Sequence, residues 1–308
     1  MKPKIVVVGS ANTDMVVQVD SIPSLGETVL GGKFVCAQGG KGANQAVAAA
    51  RLGADVTFIA RLGNDEFGQT SVTAYRAEGI NTEFITWDDA APSGVALIMV
   101  NRNGENIIAV APGANGRLSP ADVKTAESAF RTADAVLMQL EVPLETVQTA
   151  ITLARKYHAQ VILNPAPAIL LPDDLLRSVD YLTPNETELA ILSGKIPAQL
   201  QSSVKEFAIK KKLKALIVTL GAKGARVLTD QNEHLVPGFP VKAIDTVAAG
   251  DAFNGALAVA LSQGMDLVDA VHYANAVGAI SVTRAGAQPS LPTFKEVRRF
   301  LDGVGGKE

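Results

Sequence analysis

Short β-branched runs alternate with longer segments of helical periodicity along most of this chain, and that alternation leaves few architectures open. "KIVVVGS" (residues 4–10) predicts a strand, and "ANQAVAAARLG" (43–53) a helix closed by Gly53. "DVTFIARLG" (55–63) follows as a strand and "FGQTSVTAYRAEG" (67–79) as a helix ending near Gly79. The same rhythm returns in "ADAVLMQLE" (133–141), "LETVQTAITLARKYH" (144–158), "QVILNPAP" (160–167), "YLTPN" (181–185) and "ALIVTLG" (215–221). Two further helices are expected, one starting near Asp251 and one over 266–284. Strands that are apolar on both faces and separated by helices belong to a parallel sheet covered on both sides. The expected class is therefore α/β: a mainly parallel, Rossmann-like three-layer sheet, with ligands gathered at the carboxyl ends of its strands.

Two segments, 13–38 and 93–115, break the rhythm with strand patterns and turn signals but no helix. "NRNGEN" (101–106) reads as a hairpin turn, and the two segments together as a small antiparallel flap. Their apolar content is high for an exposed flap, which points to burial against a partner chain. The final "GVGGKE" reads as a loose tail.

Composition narrows the function. A chain of 308 residues with 47% hydrophobic and 19% charged residues carries a full core, and its net charge of −3 offers no basic stripe for nucleic acid. The apolar run near the N-terminus, residues 5–8, is too short for a membrane span or signal core. The single cysteine, Cys36, forms no internal disulfide and suits a reducing compartment, so a cytoplasmic protein is expected. Cys36 has no histidine near it in sequence and reads as a packing residue. His158, His234 and His272 show no zinc-ligand spacing, and no G-x-S-x-G elbow is present.

The stretch "DTVAAGDAFNGAL" (245–257) carries the strongest chemical signal. Ala248, Ala249 and Gly250 let a ligand approach their backbone, and the apolar helix that follows must be buried. A helix start with bare N–H groups attracts anions, phosphate above all. Asp251 at that place either caps the helix or takes a proton from a hydroxyl attacking the phosphate, and this stretch alone leaves both open.

A second glycine cluster, "QGGKGANQAVAAA" (38–50), is neither a Walker A loop nor a dinucleotide fingerprint. Lys41 and Asn44 flank its helix start, where they suit hydroxyls or an anion; Asn12, Asp14 and Glu141 stand at strand ends. Each alone reads as a cap or surface residue, but together they suggest a pocket for a small polyol. In "TPNETE" (183–188), Asn185 and Glu188 can reach a metal ion through water near phosphates. Thr219 to Gly224 form a glycine-bounded turn suited to a nucleotide's phosphates or ribose, although hairpins use the same composition.

These motifs resemble those of the ribokinase-like (PfkB) carbohydrate kinases along nearly the whole chain. The resemblance rests on "GSANTD", "GGKGANQAVAAARLGA", "SGVALIMVN", "MQLE", "NPAPA", "TPNETE", "VTLGAKGA", "DTVAAGDAFNGAL" and "RAGAQPSLP". It implies one ribokinase-like domain over 1–308, with a β lid from insertions at about 13–38 and 93–112. The implied activity is ATP-dependent phosphorylation of D-ribose at O5; a 2-deoxyribose or other sugar kinase, or a sugar binder without catalysis, are the alternatives. It assigns Asp251 as base and Ala248, Ala249 and Gly250 as anion hole. The sugar site it implies is Asn12, Thr13, Asp14, Gly40, Lys41, Gly42, Ala43, Asn44 and Glu141, with Ala96 and Val110 of the lid shaping one side. The nucleotide site is Asn185, Thr219, Leu220, Gly221, Ala222, Lys223, Gly224 and Asn275, joined by Gly250 and Asp251; Asn185 and Glu188 are linked to Mg2+. An activating K+ would be held, mostly through carbonyls, by Asp245, Val247, Ser281, Arg284, Gly286 and Ser290. Two positions depart from the common pattern: Ala248 where glycine is frequent, and Asn275 where histidine is frequent. A homodimer formed through the lid is implied, with no nucleic acid or membrane partner.

Overall fold

The computed structural model describes residues 2–194, 207–208 and 210–305. Its strands are β1 (Lys4–Val8), β2 (Asn12–Gln18), β3 (Lys33–Gly39), β4 (Asp55–Gly63), β5 (Ile85–Asp88), β6 (Gly94–Val100) and β7 (Asn106–Ala111). They continue with β8 (Ala135–Met138), β9 (Gln160–Leu163), β10 (Tyr181–Leu182), β11 (Ala215–Thr219), β12 (Ala225–Leu228) and β13 (Glu233–Val236). The main sheet runs β13-β12-β11-β10-β9-β8-β1-β4-β5. It is parallel from β11 to β5, and β12 and β13 extend it as an antiparallel hairpin.

Because side chains alternate along a strand, β1 feeds two cores. Ile5 and Val7 pack with helices Lys41–Arg51, Ala249–Ser262 and Leu267–Ser281 on one face. Val6 and Val8 join Phe130 and helix Leu144–Lys156 on the other. The expected three-layer α/β arrangement is what forms.

The two interrupting segments pair into a second sheet, β3-β2-β6-β7. Its hairpin pairs β2/β3 and β6/β7 are antiparallel, and the parallel pair β2/β6 joins them. Every residue of β7 is exposed, and Phe34, Leu97, Ile107, Ile108 and Val110 present apolar surface. Cys36, expected to pack, is exposed on β3, an edge strand of this sheet. The expected loose tail is also corrected: residues 303–305 complete helix Phe294–Gly305, and 306–308 lie outside the described residues.

One contact positions the site. In helix Ala249–Ser262 every residue from Asp251 to Leu261 is buried, including Phe253, Leu257 and Val259. Burying such side chains contributes roughly 1.5–3 kcal/mol each. The helix crosses helix Lys41–Arg51 so closely that a Cβ on Gly255 would lie 2.6 Å from Ala48 Cβ and 2.9 Å from the Gln45 carbonyl oxygen. Asp251 sits one turn before Gly255 on the same helix face. The close crossing therefore delivers Asp251 to Asn44 and Gln45.

Gly255→Val should force the helices apart and cost about 1–3 kcal/mol, in the range of core overpacking. Urea unfolding checks this; an unchanged midpoint would show that the crossing has slack.

Candidate active site

Helix Ala249–Ser262 begins without a capping side chain, from Ala248 in the left-handed region at φ +60°. An L-residue adopts that conformation at a cost of roughly 1–2 kcal/mol. The turn leaves the N–H groups of Gly250 and Asp251 without a hydrogen-bond partner among the described residues. Gly250 is exposed, and nothing lies within 4 Å of where its Cβ would stand. The helix mouth is thus open, with two donors directed out of it.

Asp251, the third residue of this helix, is buried rather than turned to solvent as a surface cap. Asn44 Nδ2 donates to its Oδ2 at 2.9 Å and Gln45 Nε2 to its Oδ1 at 2.9 Å. Burial pushes its pKa up to about 6; the Lys41 charge and the two amide donors pull the other way, and Glu141 adds to the rise.

The sugar-site candidates assemble around it. Gly40, at φ +87°, starts helix Lys41–Arg51, and a Cβ on Gly42 would lie 2.6 Å from the Gly9 carbonyl carbon and Ser10 N, so the helix touches the segment just after β1 through bare backbone. Glu141 Oε2 accepts from Ser10 Oγ at 2.5 Å and from Lys41 N at 3.0 Å, while Lys41 Nζ lies 3.5 Å from Oε1. Gly42 N donates to Ser10 Oγ at 3.3 Å and Ala43 N to the Ser10 carbonyl at 2.8 Å. The sequence allowed this helix start to hold an anion. That reading is corrected, since Glu141 and Ser10 already take its first N–H groups. Burial would depress the Lys41 ammonium, but Glu141 and Asp251 more than offset this and hold it above its ordinary value.

Asn12 Oδ1 accepts from Asn115 Nδ2 at 2.7 Å, and Asn115 also holds both backbone groups of Ala11. The Thr13 hydroxyl and Asn44 Oδ1 are buried with no partner among the described residues. Buried polar atoms are nearly always paired, so the unpaired Oδ1 of Asn44, the residue that donates to Asp251, marks a place for an incoming hydroxyl. Asp14 makes no side-chain hydrogen bond within the described chain and packs over Gly39, where a Cβ would lie 2.1 Å from its Oδ2. Burial raises its pKa to about 6; Glu141 and Asp251 add to this and Lys41 opposes it. Ala96 is buried and Val110 exposed on the lid.

Across the sheet, Asn185 caps helix Glu186–Ser193. Its Oδ1 accepts from Glu188 N, and Glu188 Oε2 accepts from Asn185 N, both at 2.8 Å. Burial raises the Glu188 carboxyl, Asp251 adds to this, and the Asn185 N–H and Lys41 oppose it. Thr219 bridges to Asn185, then Leu220 N donates to the Gly224 carbonyl at 2.8 Å around the turn Gly221–Lys223, which includes Ala222. Gly224, at φ +95°, would carry a Cβ only 2.1 Å from the Val236 carbonyl oxygen. Asn275 Nδ2 donates to the carbonyls of Val236 and Pro237, both at 3.1 Å, and so fastens that segment beside the turn. Segments 244–247 and 281–290 are stitched together elsewhere. Asp245 accepts from Val247 N at 3.0 Å and Gly286 N at 2.8 Å, Ser290 Oγ donates to the Ala287 carbonyl and Ser281 Oγ to that of Gly278, and Arg284 pairs with Glu296.

Ser10, Gln45, Asn115, Gln139 and Asn164 escaped the sequence reading. Gln45 left one usable signal: an amide inside the buried run "ANQAVAAA" needs a polar partner.

The chain matches the family described as pfkB family carbohydrate kinase over residues 2–294. It is 44% identical to a ribokinase of Haemophilus influenzae over 304 residues, 98% of this chain and 99% of that one. It is 39% identical to a deoxyribokinase of Salmonella typhimurium over 301 residues, 96% of this chain and 98% of that one. Among solved structures, Arabidopsis thaliana ribokinase complexed with ribose and ATP superposes with a TM-score of 0.88 at 32% identity, covering 98% of this chain and 99% of that one.

Asp14 and Asp251 both bind protons more tightly in the fold than a free carboxylate does, so stability contributed by these groups falls as pH rises from about 4 through 6. Asp14→Asn, which forfeits no hydrogen bond within the chain, should raise the Tm at pH 7.5 more than at pH 4.5. An equal change at both pH values in calorimetry would contradict the assigned electrostatics.

Proposed function

The chain belongs to the pfkB family of carbohydrate kinases, and on that premise we propose that it transfers the terminal phosphoryl group of ATP to O5 of D-ribose. Near full-length similarity to ribokinases supports the substrate, including one solved with ribose and ATP. One observation carries the mechanism: a buried carboxylate, Asp251, stands at the open mouth of helix Ala249–Ser262 beside the unpaired Oδ1 of Asn44.

The sugar lies against Asn12, Thr13, Asp14, Gly40, Lys41, Gly42, Ala43, Asn44 and Glu141 with O5 toward Asp251. Asp251 accepts the O5 proton as the bond to phosphorus forms. Its pKa of about 6 leaves it ionised at neutral pH yet basic enough to act. The migrating phosphoryl rests on the anion hole of residues 248–250, where the free N–H groups of Gly250 and Asp251 are the donors and the Ala249 N–H is already given to the Thr246 carbonyl at 3.3 Å. Such preorganised donors are worth roughly 3–4 kcal/mol each toward developing charge. Phosphoryl transfer proceeds through a loose transition state, so positioning and charge stabilisation dominate. The nucleotide lies along Asn185, residues 219–224 and Asn275.

Mg2+ accompanying ATP would neutralise phosphate charge, with Asn185 and Glu188 the residues disposed toward it. K+ would sit between the stitched segments, on Asp245, Val247, Ser281, Arg284, Gly286 and Ser290, and would set the local field near the anion hole. The donor set fits a hard monovalent ion, since backbone carbonyls, the Asp245 carboxylate and the serine hydroxyls offer it only oxygen.

Residues 1–308 act as one catalytic unit, with the four-stranded sheet as its lid. A second copy covers the exposed lid residues, making a homodimer, and the single cysteine suits the cytoplasm. No helix among the described residues is long and apolar enough to cross a membrane.

Asp251→Asn should keep sugar binding by calorimetry while phosphorylation falls at least about a hundred-fold, the low end of general-base effects. Near-normal turnover would remove Asp251 as base. Across ribose, 2-deoxyribose, fructose and adenosine, ribose should turn over fastest, and negligible ribose activity would reassign the substrate. Leu97→Asp with Ile107→Asp should sediment as a monomer where the unaltered chain sediments as a dimer; an unchanged dimer would move the interface off the lid.

A further inference from the structure

We propose that Gln45 is a positioning residue that holds the Asp251 carboxylate in its working orientation, and that Gln139 and Asn164 lock Gln45 in turn; this rests on the reading of Asp251 as the base. Gln45 and Gln139 are fully buried and Asn164 nearly so, which places all three behind Asp251 in the fold's interior.

The hydrogen bonds run in one direction. Gln139 Nε2 donates to Gln45 Oε1 at 2.5 Å. Both Gln45 Nε2 protons are then spent, one on Asp251 Oδ1 at 2.9 Å and one on Asn164 Oδ1 at 3.1 Å. Asn164 Nδ2 donates to the Thr183 carbonyl at 3.3 Å, which turns its oxygen toward Gln45. A flipped Gln45 amide would set its oxygen against two acceptors and its nitrogen against a donor. The Gln45 amide is therefore held in one orientation, with all of its polar groups paired, while Gln139 Oε1 behind it is buried without a partner among the described residues. Its room is reserved by Gly9, where a Cβ would lie 2.1 Å from Gln139 Oε1.

Asn44 holds the other oxygen, so the carboxylate is gripped at both ends by adjacent residues of one helix. A donor to the charged form stabilises it, so Gln45 keeps Asp251 more acidic than burial alone would. The charged groups facing Asp251 are Lys41, Glu141, Asp14 and Glu188, and none of them joins this amide chain.

The test uses Gln45→Met, which keeps the length and removes the donor, and Gln139→Met, which only unlocks Gln45. Carboxyl carbon-13 resonances of the full chain are titrated, with Asp251 identified by its absence in Asp251→Asn. Gln45→Met should raise the Asp251 pKa by roughly one unit or more, the size set by losing a hydrogen bond to a charged group. Gln139→Met should give a smaller rise of the same sign. In ribose kinase assays, the acid limb of kcat should move up with the pKa while the sugar KM changes less than about two-fold. If either folded variant leaves the Asp251 pKa unmoved, the positioning role is wrong. If Gln45→Met fails to fold, Gln139→Met decides alone by the same criterion. An Asp251→Asn enzyme that remains active would instead overturn the base assignment, so the two failures are separable.

Discussion

The crossing of two small-residue helices is the constraint on which this molecule depends. Gly255 and Ala48 allow backbones to approach until a single added methyl would clash. That approach takes Asp251 out of water and places Asn44 and Gln45 at its two oxygens. A buried carboxylate is costly unless hydrogen-bonded, and here the fold supplies the bonds from the same helix that carries Lys41. Stability and chemistry are opposed at this point: the environment that raises the Asp251 pKa also makes it a better base.

The left-handed Ala248 belongs to the same arrangement. A polar N-cap would place a side-chain acceptor on the free N–H groups that an anion is to use. The uncapped, tightly turned start leaves those donors open, and the apolar helix behind them excludes water. The sugar side follows the same rule, with Asn44 Oδ1 and the Asp14 carboxylate left without partners among the described residues while Asn12 and Glu141 are tied down.

Much of this was legible in the sequence, and the part that was not has a physical reason. Apolar periodicity located the central strands and the long helices because burial on both sheet faces dictates it. The residues 248–250 and Asp251 stood out because small residues at a buried helix start let a ligand reach its N–H groups, although a plain cap and tight turn fitted the stretch equally well. By contrast, the hairpin β12–β13 lies at the sheet edge, where "ARVLTDQNEHLV" carries no two-faced apolar signal. Ser10, Asn115 and Gln139 reach the site from sequence separations of about a hundred residues or more, which no local pattern encodes. From its sequence the start of helix Lys41–Arg51 suits hydroxyls or an anion, and only the fold brings Glu141 and Ser10 to its N–H groups.

Catalysis at this helix mouth depends on where the transferring group sits. A crystal structure with ribose, ADP and a planar phosphoryl mimic measures this directly. The mimic's oxygens should lie within about 3.1 Å of the Gly250 and Asp251 nitrogens, with O5 of the sugar within hydrogen-bond reach of the Asp251 carboxylate. A mimic bound away from the mouth of helix Ala249–Ser262, or an Asp251 carboxylate turned from O5, would contradict it.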